Sequence, residues 1–205
     1  MYTLYTLSGS CSTAIHALLN KLDQTVEIIH FSDVENYHLL VPTRQVPALQ
    51  DGEKRLTEGG AIVLYLLKKH NIPISTWGDE DEFHYWLLFC YATLHPAYGK
   101  LFSGLKFMQD GEVKDKYYQA LAKQLSELWK IVDTKLESSD FILGDKVSVI
   151  DYLVTIYASW GNVFPELEIK LGSNVKNLAQ KVSNLPEFQQ AYMKEGAEHS
   201  LPKNS

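Results

Sequence analysis

The rhythm of apolar residues changes near residue 78. Before it, they fall in short runs. Residues 2–7 ("YTLYTL") and 26–31 ("VEIIHF") are β-branched or aromatic and predict strands. Between them, residues 12–22 carry apolar positions at helical spacing. Strand, helix and strand within about 30 residues predict a βαβ unit with parallel strands. Residues 33–40 ("DVENYHLL") read either as a short helix or as an irregular loop. In "VPALQDGEKRLT", two short strand-like runs flank Asp51-Gly52, a strong hairpin signal. Residues 59–70 ("GGAIVLYLLKKH") predict a helix whose last turn carries the positive charge that its dipole favours.

Residues 71–78 ("NIPISTWG") break the pattern with Pro, Ser and Gly and read as a linker. Beyond it the apolar spacing is helical throughout. Phe83, Trp86, Leu87, Cys90, Tyr91 and Leu94 recur at three and four, as do Tyr118, Leu121, Leu125, Leu128 and Val132. The expected organisation is an α/β domain over 1–78 followed by an all-α bundle over 79–205. The tail "HSLPKNS" has no core-forming pattern and is expected to fray. Ser148 and Asp151 stand just ahead of an apolar run and fit a capping box. A structural cap, whose loss costs about 1 kcal/mol or more, explains them better than catalysis does.

Composition narrows the function. The formal net charge is −6 over 205 residues, so the chain as a whole repels a nucleic-acid backbone. No apolar run approaches the roughly 20 residues of a membrane helix, and no basic segment precedes an apolar one at the N-terminus, so neither a membrane span nor a secretory signal is expected. Two cysteines make no disulfide framework and point to a reducing, cytoplasmic setting. The seven histidines lack a metal-ligand spacing, and no metal site is expected.

The candidate chemistry begins at Cys11, in "SGSCSTAIHALL", where the first strand gives way to the first helix. The first turn of a helix presents unpaired N–H groups and partial positive charge, which favour a thiolate. Ser10 and Ser12 are placed to donate to the same sulfur. The plainer alternative is a small, inert, buried residue. Ala14 stands where a Cys-x-x-Cys motif has its second cysteine, so any redox cycle needs an external thiol. His16 does not share a helix face with Cys11 and reads as capping or packing, Cys90 reads as core, and Tyr5 has a minor role at best.

Three stretches, "SGSCSTAIHALL", "RQVPALQDGEKRLTEGGAIVLYL" and "FILGDKVSVIDYLVTIYA", stand in the order seen in cytosolic glutathione S-transferases. With the Gly-x-Cys-Ser turn and the "TLH" of the fourth helix, the chain resembles the bacterial beta class over nearly its whole length. The resemblance implies a thioredoxin-like domain, with a mixed four-stranded sheet and helices, that binds glutathione. It also implies a C-terminal helical bundle supplying the second-substrate side, and a homodimer. Glutathione is then a co-substrate rather than a bound cofactor, and the partner substrate is a small hydrophobic electrophile.

Within that resemblance, Glu58 and Gly59 open the third helix. A helix N-terminus suits a carboxylate, and glycine permits close approach. Glu58 would take the glutathione ammonium or, more simply, stabilise the helix dipole. The family usually has a serine where Gly59 stands. Val46-Pro47 resembles the family's cis-proline step, with Val46 pairing to the cysteinyl backbone. Arg44 and Gln45 lie near enough to reach the glycyl end, though a solvated arginine is an alternative. Ser10 joins the glutathione site. His95, before Pro96, would face the thiol site; the family often has lysine after this histidine. Leu88 stands where some members place a polar residue across the dimer, and the stretch before "VPTR" is shorter than usual. Tyr98, Phe102 and Trp160, with Tyr91 and Phe107, would wall the second-substrate pocket or serve as core.

Two chemistries stay open. Either a neutral Cys11 helps stabilise a glutathione thiolate that attacks an electrophile, or a Cys11 thiolate forms a mixed disulfide. The rivals are a non-catalytic glutathione-binding protein on the same scaffold and a glutathione-dependent isomerase or dehalogenase.

Overall fold

The computed structural model describes residues 1–203. The chain opens with β1 (Tyr2–Thr6), α1 (Cys11–Lys21) and β2 (Val26–His30). β1 and β2 pair in parallel, as the βαβ reading requires, with Leu4 opposite Ile28. A short 3-10 turn over Phe31–Asp33 follows, so Phe31 ends outside the strand, and then α2 (Tyr37–Leu40). The segment left open between helix and loop is therefore partly each. The hairpin forms around Asp51-Gly52: β3 (Ala48–Asp51) and β4 (Lys54–Leu56) pair antiparallel, and Gly52 takes the left-handed φ of 60° that the turn needs. β3 also pairs antiparallel with β1, giving the order β2-β1-β3-β4. This is the thioredoxin-like mixed sheet. α3 (Gly59–Lys69) completes the first part.

After a 3-10 turn at Ile74–Thr76 the chain is helical. α4 (Glu80–Leu88) runs into a π-helical segment, Phe89–Leu94, and then into α5 (His95–Phe107). The spacing over 83–95 predicts a helix kinked ahead of Pro96, whose missing N–H leaves the Ala92 carbonyl unpaired. Pro96 has no N–H to close an ordinary turn, and the chain takes the wider winding just ahead of it instead. α6 (Glu112–Lys135), α7 (Val149–Ser159), α8 (Ser173–Ser183) and α9 (Pro186–Lys194) complete the bundle.

α1 is the hinge of the architecture. Every residue from Cys11 to Leu19 is buried. The sheet and α3 cover one side, and α7 and α9 cover the other. One continuous apolar cluster therefore runs from Leu4 and Leu49 through Ile15 and Leu18 to Ile150 and Phe188. A smaller cluster of Tyr5, Tyr37, Val41 and Ala48 seats α2 on the opposite face of the sheet. Sandwiching α1 places its N-terminus where the two parts of the chain meet.

The tail does not fray over 199–202. His199 Nε2 donates to the Thr155 carbonyl at 2.9 Å, Asn162 donates to the Ser200 carbonyl at 2.7 Å, and Leu201 packs on the core. These are tertiary anchors that a local pattern does not reveal. Asn204 and Ser205 lie outside the described residues. No helix among the described residues is long and apolar enough to cross a membrane.

Candidate active site

A cavity of about 680 Å³ opens between the sheet side and the helical side. From the first part it is lined by the turn before α1 (Ser10, Cys11), the approach to β3 (Arg44 to Pro47) and the start of α3 (Glu58, Gly59). His95, Phe102 and Trp160 line it from the other side. These residues are distant in sequence and share one cleft because α1 carries both parts.

The α1 end is internally satisfied. The Ser10 side chain accepts from the Ser12 N–H at 3.2 Å, which caps the helix. The Ser10 and Ser12 hydroxyls lie 2.8 Å apart, and Ser12 also bonds the backbone of Leu7. Neither hydroxyl bonds the Cys11 sulfur, contrary to the expectation from sequence, because each has a partner within the turn. The carbonyl of Gly9 accepts from Trp160 Nε1 at 2.8 Å. Its N–H donates to Thr13 Oγ1, which in turn donates to Glu195 Oε2 at 2.7 Å. His16 Nδ1 lies 2.9 Å from the other Glu195 oxygen, and both side chains are 1% exposed. His16 thus joins α1 to the end of α9, which is a packing role.

Cys11 is 4% exposed, and its thiol donates weakly to the Val46 carbonyl at 3.8 Å. Burial pushes the thiol up to about 12, and the Glu58 carboxylate adds to this. The Cys11 and Ser12 backbone N–H groups act in the opposite sense and are outweighed. The helix terminus was expected to make this thiol easy to ionise. Desolvation wins, and the thiol is neutral at neutral pH.

The α3 end is different. Glu58, its N-cap, has φ 63° and ψ 107° and makes no capping side-chain bond. A left-handed φ on a non-glycine residue is strained. The first-turn amides therefore have no side-chain cap. A Cβ added to Gly59 would fall on the tip of the Tyr91 ring. Gly59 is thus required by close approach. The Val46–Pro47 peptide is cis. Tyr37 donates to the Gln45 carbonyl at 3.0 Å, fixing the loop, while the Arg44 and Gln45 side chains stand exposed at the rim.

On the helical side, the His95 ring meets Tyr157 and Trp160 at centroid distances of 5.8 and 5.3 Å. Burial lowers its pKa, with the Glu58 carboxylate opposing, so the imidazole is neutral at neutral pH. Phe102 sits edge-on to Trp160. Tyr98 does not reach the cavity. It is fully buried, its hydroxyl accepts from Trp129 Nε1 at 3.0 Å, and its ring backs Trp160 from behind. Phe107 is 75% exposed and lies off the cavity. The sequence leaves both open between pocket wall and core; Tyr98 is core and Phe107 is neither, and helical spacing does not resolve the wall from the layer behind it. Phe31, Thr43 and Val163 line the cleft as well and carried no signal in sequence.

Ser148 and Asp151 stand apart from the cavity. Asp151 accepts from the Ile142 N–H (2.8 Å), the Ser148 N–H (2.7 Å) and the Ser148 hydroxyl (2.8 Å). With the Ser148 side chain accepting at the Ile150 N–H, these bonds complete the capping box of α7. Burial raises the carboxyl to about 6 against those three bonds. Among the described residues no cluster of three or more His, Cys, Asp or Glu side chains is arranged to hold a metal.

Residues 1–68 match the glutathione S-transferase N-terminal domain, and residues 88–187 match the glutathione S-transferase C-terminal domain. The chain belongs to the glutathione S-transferase family. A glutathione S-transferase from Xanthomonas campestris pv. campestris, GST-4.5, is 25% identical over 169 residues, covering 78% of this chain and 82% of that protein. The structure of a glutathione S-transferase from Xylella fastidiosa superposes with a TM-score of 0.83 at 23% identity, over 97% of this chain and all (100%) of that one. A sphingomonad glutathione S-transferase complexed with glutathione superposes with a TM-score of 0.77 at 22% identity, over 96% and 100% of the two chains. Glutathione S-transferases use glutathione as a co-substrate.

Proposed function

We propose that this glutathione S-transferase conjugates glutathione to small hydrophobic electrophiles, with Cys11 acting as a neutral hydrogen-bond donor. The observation that carries this reading is the buried Cys11 thiol, held at about 12 on the edge of an open cavity. A protonated thiol can donate to a bound glutathione thiolate, whereas a second thiolate would repel it. Val46 offers backbone for the cysteinyl part of glutathione, as an added strand does. Glu58 takes the ammonium, Gly59 and the uncapped α3 amides face the γ-glutamyl carboxylate, and Arg44 with Gln45 serves the glycyl end. Ser10 keeps the turn in place from within the site.

In the reaction, the glutathione S–H bond breaks and its proton passes to neutral His95 or to water. The sulfur then attacks the electrophilic carbon, forming a C–S bond as the leaving group departs with the bonding pair. Phe102 and Trp160 supply the apolar surface for the electrophile. We further assign the chain to the beta class, as a cytoplasmic homodimer with a detoxifying role. Its first functional unit then spans 1–78 and its second 79–205.

The experiment is conjugation to a chlorodinitrobenzene, with intact mass after exposure to oxidised glutathione, on wild type and Cys11→Ala. Conjugation reduced in Cys11→Ala, with no glutathione adduct on wild type, supports the donor role. An adduct on wild type that vanishes in Cys11→Ala would replace this reading with the mixed-disulfide chemistry. Glutathione binding with no turnover on any electrophile would select the non-catalytic rival.

A further inference from the structure

Tyr91 lies on the π-helical segment Phe89–Leu94, one turn before His95. Its ring is partly exposed and lines the cavity, but its hydroxyl is buried and has no hydrogen-bond partner among the described residues. A buried polar group without a partner is costly and calls for an explanation. Gly59 leaves the space that the phenol tip occupies; any side chain there would displace it. The same residue begins α3, whose first-turn amides have no side-chain cap. Burial, together with Cys11, Cys90 and Glu58 nearby, raises the phenol well above its ordinary pKa, so it stays protonated, with a proton to donate.

The Tyr91 hydroxyl and the uncapped start of α3 thus lie side by side at Gly59, and a carboxylate suits both. The neighbour Glu58 decides which carboxylate. A lone glycyl carboxylate would be repelled by it. The γ-glutamyl end bears an ammonium on the same carbon as its carboxylate, so Glu58 and the donors at 59 and 91 match that pair of charges. We propose that the Tyr91 hydroxyl binds the γ-glutamyl α-carboxylate of glutathione from the position beside Gly59 that the missing side chain lets it occupy. The first-substrate site then draws a binding group from the helical part of the chain. This assignment rests on the glutathione reading above and adds a residue to it.

The test is calorimetric titration of wild type and Tyr91→Phe with glutathione and with γ-aminobutyryl-cysteinyl-glycine, which keeps the amine and lacks the α-carboxylate. Tyr91→Phe retains the ring that packs on Gly59, so the fold is preserved. The assignment predicts about tenfold weaker glutathione binding in Tyr91→Phe, and equal binding of the analogue by the two proteins. Unchanged glutathione affinity in Tyr91→Phe would overturn the assignment and leave the glutathione reading intact. So would an equal loss for glutathione and the analogue, which would place the hydroxyl on the sulfur or in the packing. No glutathione binding by wild type would overturn both together.

Discussion

Two helix N-termini face the same cavity, and they differ. α1 begins at a capped turn in which Ser10, Ser12, Thr13 and Glu195 bond one another or the backbone, and its cysteine is buried. α3 begins at a strained Glu58 followed by two glycines, and no side chain caps its first-turn amides. The local electrostatics of the two ends is alike; both present positive partial charge. Burial and capping decide what each can do with it. At α1 desolvation overrides the dipole and leaves a neutral thiol. At α3 the donors remain available to an anion.

α7 sets the scale for an end that is purely structural. Asp151→Ala leaves the Ile142 N–H and the Ser148 N–H and hydroxyl unpaired in the interior. The expected cost is about 3 kcal/mol or more in chemical denaturation, the largest effect predicted for this molecule, with glutathione affinity of the folded protein unchanged. A loss below about 1 kcal/mol would mean that the box is not what holds α7. At α3, Glu58→Gly separates strain from binding. Stability rises by about 1 kcal/mol as the left-handed φ is relieved, while glutathione affinity falls about tenfold or more with the lost ammonium partner. Movement of both quantities in the same direction would contradict the account of this end. At α1, Ser10→Ala removes a cap and costs about 1 kcal/mol in thermal or denaturant unfolding. No change would mean that the Ser12 N–H finds another acceptor.

Much of this contrast was legible in the sequence. The strands, the Asp-Gly hairpin, the helices expected over 12–22 and 59–70 and the Ser148–Asp151 box follow from local spacing and turn chemistry. The ionisation state of Cys11 does not, because it depends on burial by Val46 and the helical side, which are remote in the chain. Tyr98 and Phe102 lie four residues apart on one helix, yet one is core and the other wall; spacing selects the face, not the depth. The π-helical winding before Pro96 was read as a kink. A proline shows that an ordinary turn is interrupted but not how the chain accommodates it. The Gly59-Gly60 pair is legible only in part. A glycine at a helix start marks close approach, and the approaching group was the Tyr91 phenol as well as any ligand. The tail over 199–202 and the Glu195–Thr13–Gly9 chain are tertiary contacts between distant residues, without a local signature.

The ionisation of Cys11 also carries a pH dependence of stability. Its folded value, about 12, is raised above the ordinary 9.0. Keeping the thiol protonated therefore stabilises the fold below pH 9, and that contribution fades as pH rises toward 12. Relative to Cys11→Ala, the wild type should lose stability above pH 9 and show no such loss near neutrality.

The most direct measurement is the rate of Cys11 alkylation by iodoacetamide against pH, read by intact mass on the unliganded protein. A neutral buried thiol predicts a slow rate at neutral pH that climbs about tenfold per pH unit with no plateau below about pH 10. A rate that is already level at neutral pH would show a resident thiolate, contradict the donor role and restore the mixed-disulfide chemistry.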